Sequence, residues 1–335
     1  MAVEYISKLY KAFEVVESKI YNTLLDGSEE SFDILESTIF KDLSVIDLME
    51  LYRKEMDLIS ELKFPVFKNE LKRLRSFPQV SHYENGISTF VCFIVYWIWH
   101  NRLDLSRGEI AKIIESKYFG TLGYRLIDIQ HDSNLLGVEV IYLGNYLIHY
   151  HEHLLTEVFG IKDTSEIINK YFLMYSEVEY FEKKNRWKSC PFSWDKPEKL
   201  GYKGAPFFST IELLFRFSGM EETKKSELIK GLIAFTAAIQ MMDDISDAKE
   251  DLINGIESLV MSGFYKKYGK STKLTDELIN QFLNQERMTL FYNTTQNLFD
   301  IARKNFIQNN DEIFLLCLEI YNYRFNRRIE LSTLN

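Results

Sequence analysis

Proline is scarce in this sequence of 335 residues, with only 5 occurrences, and glycine has only 15. Both residues break helices, so their rarity excludes a fold made of many tight turns and favours long helices. Cysteine is rarer still. Cys92, Cys190 and Cys317 are odd in number and far apart, with no CxxC pair. That excludes a disulfide framework and fits a reducing, cytoplasmic setting. No basic stripe interrupts a formal charge of -9, so nucleic acid is not an expected partner. Long apolar runs are missing too. The longest, Ile87 to Trp99, holds thirteen residues including Ser88 and Thr89. A ~30 Å hydrocarbon core needs ~20, so this run reads as a buried helix and the chain as not membrane-spanning. The first ten residues carry Glu4 and Lys8 and no apolar signal core. P-loop, GxGxxG and G-x-S-x-G patterns are absent. So is the Glu-x-x-His pair of a di-iron bundle. His149 and His153 share a helical spacing, but no further ligand completes a zinc site.

Apolar material is plentiful: 46% of residues are hydrophobic, and 25 Phe and 20 Tyr make the chain rich in rings. Its spacing is helical over residues 2–24, 31–40, 44–62, 86–100, 106–119, 122–159, 164–184, 206–217, 223–251, 274–308 and 311–331. Gly120 is expected to cap the helix before it, and the 122–159 stretch to break near Gly137. Residues 185–204, with Pro191, Pro197 and two tryptophans, form the longest irregular stretch, of a kind that often serves as a lid. The expectation is one all-α domain over residues 1–335, without strands, repeats or an interdomain linker.

The sharpest pattern is Gln240-Met-Met-Asp243-Asp244-Ile-Ser-Asp247-Ala-Lys-Glu-Asp251. Asp243, Asp247 and Asp251 recur every four residues and stack on one helical face. Stacked carboxylates repel unless a cation lies among them. The segment before them, Leu232 to Ile239, is uncharged, so the acids are expected at the mouth of a cavity. Hard cations such as Mg²⁺ favour carboxylate oxygens and often bring phosphate ligands. A second pair one turn apart, Asp128 and Asp132, follows another largely apolar helix. A solvated acidic face is the ordinary alternative for each.

Phe235-Thr-Ala-Ala-Ile-Gln240-Met-Met-Asp-Asp-Ile-Ser-Asp247 resembles the second aspartate-rich motif, DDxxD, of the trans-prenyl diphosphate synthases. Lys203-Gly-Ala-Pro-Phe-Phe is similar to that family's lysine-containing helix start, and Leu143-Gly-Asn145-Tyr-Leu to its Gly-Asp-Tyr-Leu helix. Asp128 and Asp132 then fall where the first motif lies, with Ile129 in place of its second aspartate. These stretches span roughly residues 110 to 260. No Arg-Arg-Gly follows Asp132 and no Gly-Lys-Arg motif precedes it. Those basic residues hold the second diphosphate in elongating enzymes, so their absence points away from chain elongation. The class I terpene synthases offer another register, in which Asp243, Asp247 and Asp251 occupy the three ligand positions of the second motif. For their C-terminal Arg-Tyr pair the candidates are Tyr323-Arg324, in reversed order, and Arg327-Arg328, with charge compensation at a helix C-terminus as the ordinary alternative.

The resemblance implies an isoprenoid-synthase helical bundle around a central cavity. It implies a cluster of Mg²⁺ ions held by Asp128, Asp132, Asp243, Asp244, Asp247 and Asp251, and diphosphate contacts from Lys203, Arg324 and Arg327. The expected reaction is ionisation of an allylic prenyl diphosphate followed by cyclisation or rearrangement, with Asp128, Asp132, Asp243 and Asp247 as the catalytic acids. The alternatives are a prenyltransferase that joins the cation to a second substrate, or a non-catalytic subunit. A homodimer is also implied. Phe93, Trp97, Phe119, Tyr124, Phe207, Phe208 and Phe235 are the rings expected to line a dry cavity.

Overall fold

A computed structural model of the chain describes residue 54 and residues 56–77, 91, 93–133 and 136–333, with side chains of 75, 133 and 327–333 left aside. The helices expected over 2–24 and 31–40 lie outside the described residues. Those that are described contain thirteen α-helices and no strand, the all-α class expected. None of these helices is long and apolar enough to cross a membrane. The chain divides into two compact units, Met1–Glu166 and Ile167–Asn335.

The first unit contains α1 (56–63), α2 (Lys68–Arg75), α3 (93–100), α4 (Arg107–Ser133) and α5 (Glu139–Phe159). Helix α4 starts with a capping box. Glu109 N–H donates to Ser106 Oγ at 3.2 Å, and Ser106 N–H donates to Glu109 Oε2 at 2.7 Å. The helix does not end at Gly120, as the sequence suggested, but runs through it. A β-carbon there would stand 2.6 Å from the His151 ring. Glycine is used at that point for close approach rather than for a cap. Gly123 plays the same part, since its β-carbon would meet the Gly144 carbonyl at 2.6 Å. The matched pairs 120–151 and 123–144 run in opposite directions, so α4 and α5 form an antiparallel hairpin whose backbones nearly touch. The break between them falls around Gly137, as expected. Phe64, Phe119 and Tyr150 pack edge to face beside this seam, with centroids 4.8 to 5.9 Å apart. The apolar run ending at Trp99 is buried from 93 to 98.

Helix α6 (Ile161–Asn185) begins in the first unit and continues into the second. The second unit then holds a 3-10 helix (Pro197–Gly204), α7 (Ala205–Phe217), α8 (Glu222–Ser246), α9 (Ala248–Ile253), α10 (Phe264–Tyr268), α11 (Asp276–Phe282), α12 (Gln285–Gln308) and α13 (Glu312–Thr333). Two long helices expected from periodicity are broken. The stretch 223–251 interrupts at Asp247, although Asp247 N–H and Asp251 N–H still donate to the carbonyls four residues back. The stretch 274–308 stops after Phe282 and restarts where Asn284 caps α12 by accepting from Arg287 N–H at 2.9 Å. The irregular stretch expected over 185–204 is shorter, because its last part forms the 3-10 helix.

Helix α8 is the spine of this unit. On one side it meets α12 through Gly231 against Phe306 and Phe235 against Phe299. Helix α13 returns along α12 through Phe325, which touches Phe291, Tyr292 and Phe299. The 3-10 helix lies against α8 so closely that a β-carbon at Gly201 would overlap the Ile233 carbonyl oxygen. Burying each large side chain in such a core contributes about 1.5–3 kcal/mol.

Candidate active site

Helix α8 is apolar along most of its length and ends in acids, so its last turn fixes where they go. Asp243 and Asp247 are exposed, Asp251 is half-buried, and Asp244 is turned inward with 8% exposure. A step of one residue rotates a helix by 100°, which separates Asp244 from the outward face of Asp243. Its carboxylate accepts the Leu259 N–H at 3.2 Å. Burial raises the Asp244 pKa well above the ordinary carboxylate range, opposed by the Lys203 ammonium, with Asp251 and Glu182 adding to the rise.

Lys203 reaches this point from the 3-10 helix because Gly201 and Gly204 let that segment settle on α8. Its Nζ lies 2.6 Å from Glu182 Oε1, with side-chain exposures of 21% and 7%. The Phe192 ring centroid stands 5.8 Å away. Burial alone would depress the ammonium. The carboxylates of Glu182, Glu179 and Asp244 overcome that and hold its pKa well above the ordinary lysine range. Lys183 is close by, 3.4 Å from Glu179 Oε2 and 3.9 Å from Glu182 Oε2.

The C-terminal pair is linked to Asp243 instead. Arg324 lies over the Tyr321 ring, 5.7 Å from its centroid. Burial pushes the Tyr321 hydroxyl up to about 12, with Asp243 adding and Arg324 opposing. Asp243 and Arg324, 81 residues apart by number, thus act on one side chain. The side chain of Arg327 lies outside those described. Asp128 and Asp132 belong to the first unit. Both are half-buried, and Arg125 Nη1 lies 3.0 Å from Asp128 Oδ2.

Magnesium keeps several waters and needs only one or two protein carboxylates. Asp243 and Asp247, exposed and one turn apart, fit that demand. Asp244 does not, because its carboxylate is engaged by the Leu259 N–H and faces Lys203. Among the described residues no three His, Cys, Asp or Glu side chains converge as a metal cluster. The rings expected as liners are buried, except Phe207, which is half-buried. His149 and His153 are exposed beside Glu152 and Glu157, while His151 is buried against Ser116.

Two residues escaped the sequence reading. Glu182 is one, and its signal was available: it continues the buried stripe Ile167, Tyr171 and Val178 of α6, an acid at a core position. The other is Glu257, whose carboxylate accepts the N–H groups of Cys190, Gly263 and Tyr265 at 3.1, 3.0 and 2.6 Å. With Trp194 Nε1 donating to Ser262 Oγ at 3.3 Å, it fastens the strap of residues 186–196 to the 255–265 turn. Compared with known proteins, the chain matches no protein-family model and no curated protein.

Proposed function

We propose that this chain is a class I terpene synthase, which ionises an allylic prenyl diphosphate and cyclises or rearranges the cation. One observation carries the reading. Segments far apart in sequence act on the acids of the α8 terminus: Lys203 on Asp244, and Asp243 on Tyr321, over whose ring Arg324 lies. These are the segments singled out by their resemblance to diphosphate-binding motifs.

Asp243 and Asp247 are the residues that would hold Mg²⁺, with Asp251 one turn further. Magnesium bound there would supply the charge neutralisation that a leaving diphosphate requires. Arg324 and Lys203 bring fixed cations to the same end of the helix, where diphosphate oxygens accept charge-assisted hydrogen bonds. Phe235 and Tyr321, 5.5 Å apart and edge to face, line the α8–α13 contact behind the acids. Rings of that kind exclude water from an allylic cation and stabilise it by roughly 0.5–2 kcal/mol each.

The test is pyrophosphate release from geranyl, farnesyl or geranylgeranyl diphosphate with Mg²⁺, each alone and then with isopentenyl diphosphate. Release from one allylic substrate alone, lowered at least roughly 100-fold by Asp243→Ala, is the expected result. Release only after isopentenyl diphosphate is added would make the protein a prenyltransferase. No release under any condition would leave a non-catalytic subunit. Asp128→Ala tests in the same assay whether the first unit's acidic pair takes part.

A further inference from the structure

We propose that Glu182 keeps the place of the diphosphate at Lys203: its carboxylate neutralises the ammonium in the free protein and withdraws when the ligand arrives. The inference rests on the reading of Lys203 as a diphosphate contact, and it assigns a role to a residue outside every motif.

Lys203 already has its counter-ion. Glu182 is 6% exposed and sits 2.6 Å from the ammonium. Glu179 also acts on Lys203, and Lys183 lies 3.4 Å from Glu179 and 3.9 Å from Glu182. The ammonium is thus already neutralised, so a diphosphate gains Lys203 only if the Glu182 carboxylate moves away. Glu182 is the group that can go. Its second oxygen is 3.9 Å from Lys183 Nζ, which offers a ready alternative partner at the outer turn of α6. Asp244 cannot do the same, because it is tied to the Leu259 N–H. Over the pair lie Phe192, whose ring centroid is 5.8 Å from Lys203 Nζ, and the strap that carries it. A buried ion pair is weak evidence of a stabilising role, since an apolar pair of equal volume often serves as well. A pair formed by a motif lysine beside the motif acid Asp244 is more economically a charge held in reserve.

The experiment is calorimetric titration of inorganic pyrophosphate, in Mg²⁺, into the full chain and its Glu182→Gln, Lys203→Met and double variants. Glu182→Gln is expected to lower the melting temperature and yet bind pyrophosphate about tenfold tighter. Lys203→Met should weaken binding, and the double variant should lose the gain. A merely structural Glu182 predicts the opposite, affinity falling together with stability, and that result would overturn the proposal. If the wild type binds, Asp243→Ala does not, and Glu182→Gln shows no gain, the role of Glu182 fails while the functional reading stands. Absence of binding in wild type and Glu182→Gln alike sinks both. Should Glu182→Gln not fold, Glu182→Asp draws the charge back by one methylene. A smaller gain in the same direction is then expected, and no gain is again a refutation.

Discussion

Both units bring two elements into close approach through glycine, yet they enclose different chemistry. Between α4 and α5 the approach at Gly120 and Gly123 seals in a neutral contact: Ser116 Oγ lies 2.6 Å from His151 Nδ1, with both residues buried. Burial, aided by the charge of Lys117, lowers the His151 pKa to about 3, so the ring is neutral at ordinary pH. Between the 3-10 helix and α8 the approach at Gly201 and Gly204 delivers a charged one, Lys203 with Glu182 and Asp244. A neutral hydrogen bond is satisfied within the fold and asks for nothing more. An ion pair stays responsive to any new charge. Polar burial alone therefore does not mark a site; an ion pair beside motif residues is the stronger candidate.

Substitutions can break or sharpen that contrast. The largest effect is expected at Gly201. Gly201→Ala drives a β-carbon into the Ile233 backbone, and overpacking against rigid backbone should cost about 3 kcal/mol or more. Urea unfolding measures it, and a loss below 1 kcal/mol would show that the 3-10 helix shifts freely. Lys203→Met comes next. It strands the carboxylate of Glu182, 7% exposed, and should cost about 3 kcal/mol, most of it recovered by adding Glu182→Met.

The pH response of the first unit is smaller. Lys117 is depressed by burial from 10.5 to about 7, and His151 from 6.5 to about 3. In each window the unfolded chain binds the extra proton, so folding stability rises with pH from about 3 to 6.5 and again from about 7 to 10.5. Lys117→Met should remove the upper rise, roughly 2 kcal/mol once relaxation at the buried site is allowed for. The check is the urea midpoint across pH. A variant with the same upper limb as wild type would place that proton elsewhere. Least of all, Ser116→Ala should cost about 1 kcal/mol, because His151 Nδ1 still has the Ser116 carbonyl at 3.1 Å.

The helices were legible wherever a helix buries one stripe and exposes the other, since a period near 3.6 then shows in the sequence. The breaks were less so. Asn284 is a good cap by residue type, but the apolar spacing runs on across it and masks the stop. Gly120 was misread for a different reason. What demands glycine there is His151, 31 residues further along by number, and no local pattern carries that. At the candidate site the outward acids Asp243 and Asp247 were plain. The inward turn of Asp244 follows from the same periodicity that buries Ala237 and Met241, but two adjacent aspartates invite reading as one group. Glu182 lies on the apolar stripe of α6, but its acidic and basic neighbours give that stretch the look of a solvated end and draw attention away from the stripe.

The contact at Gly201 also bears on how this sequence can drift. Every missense change open to a glycine codon adds a β-carbon, and here any β-carbon meets the backbone of α8. The position has no tolerated neighbours one nucleotide away. Variation among descendants of this chain should therefore pass through the chemical groups, such as Asp247 or Arg324, more readily than through this glycine that bears no functional group at all.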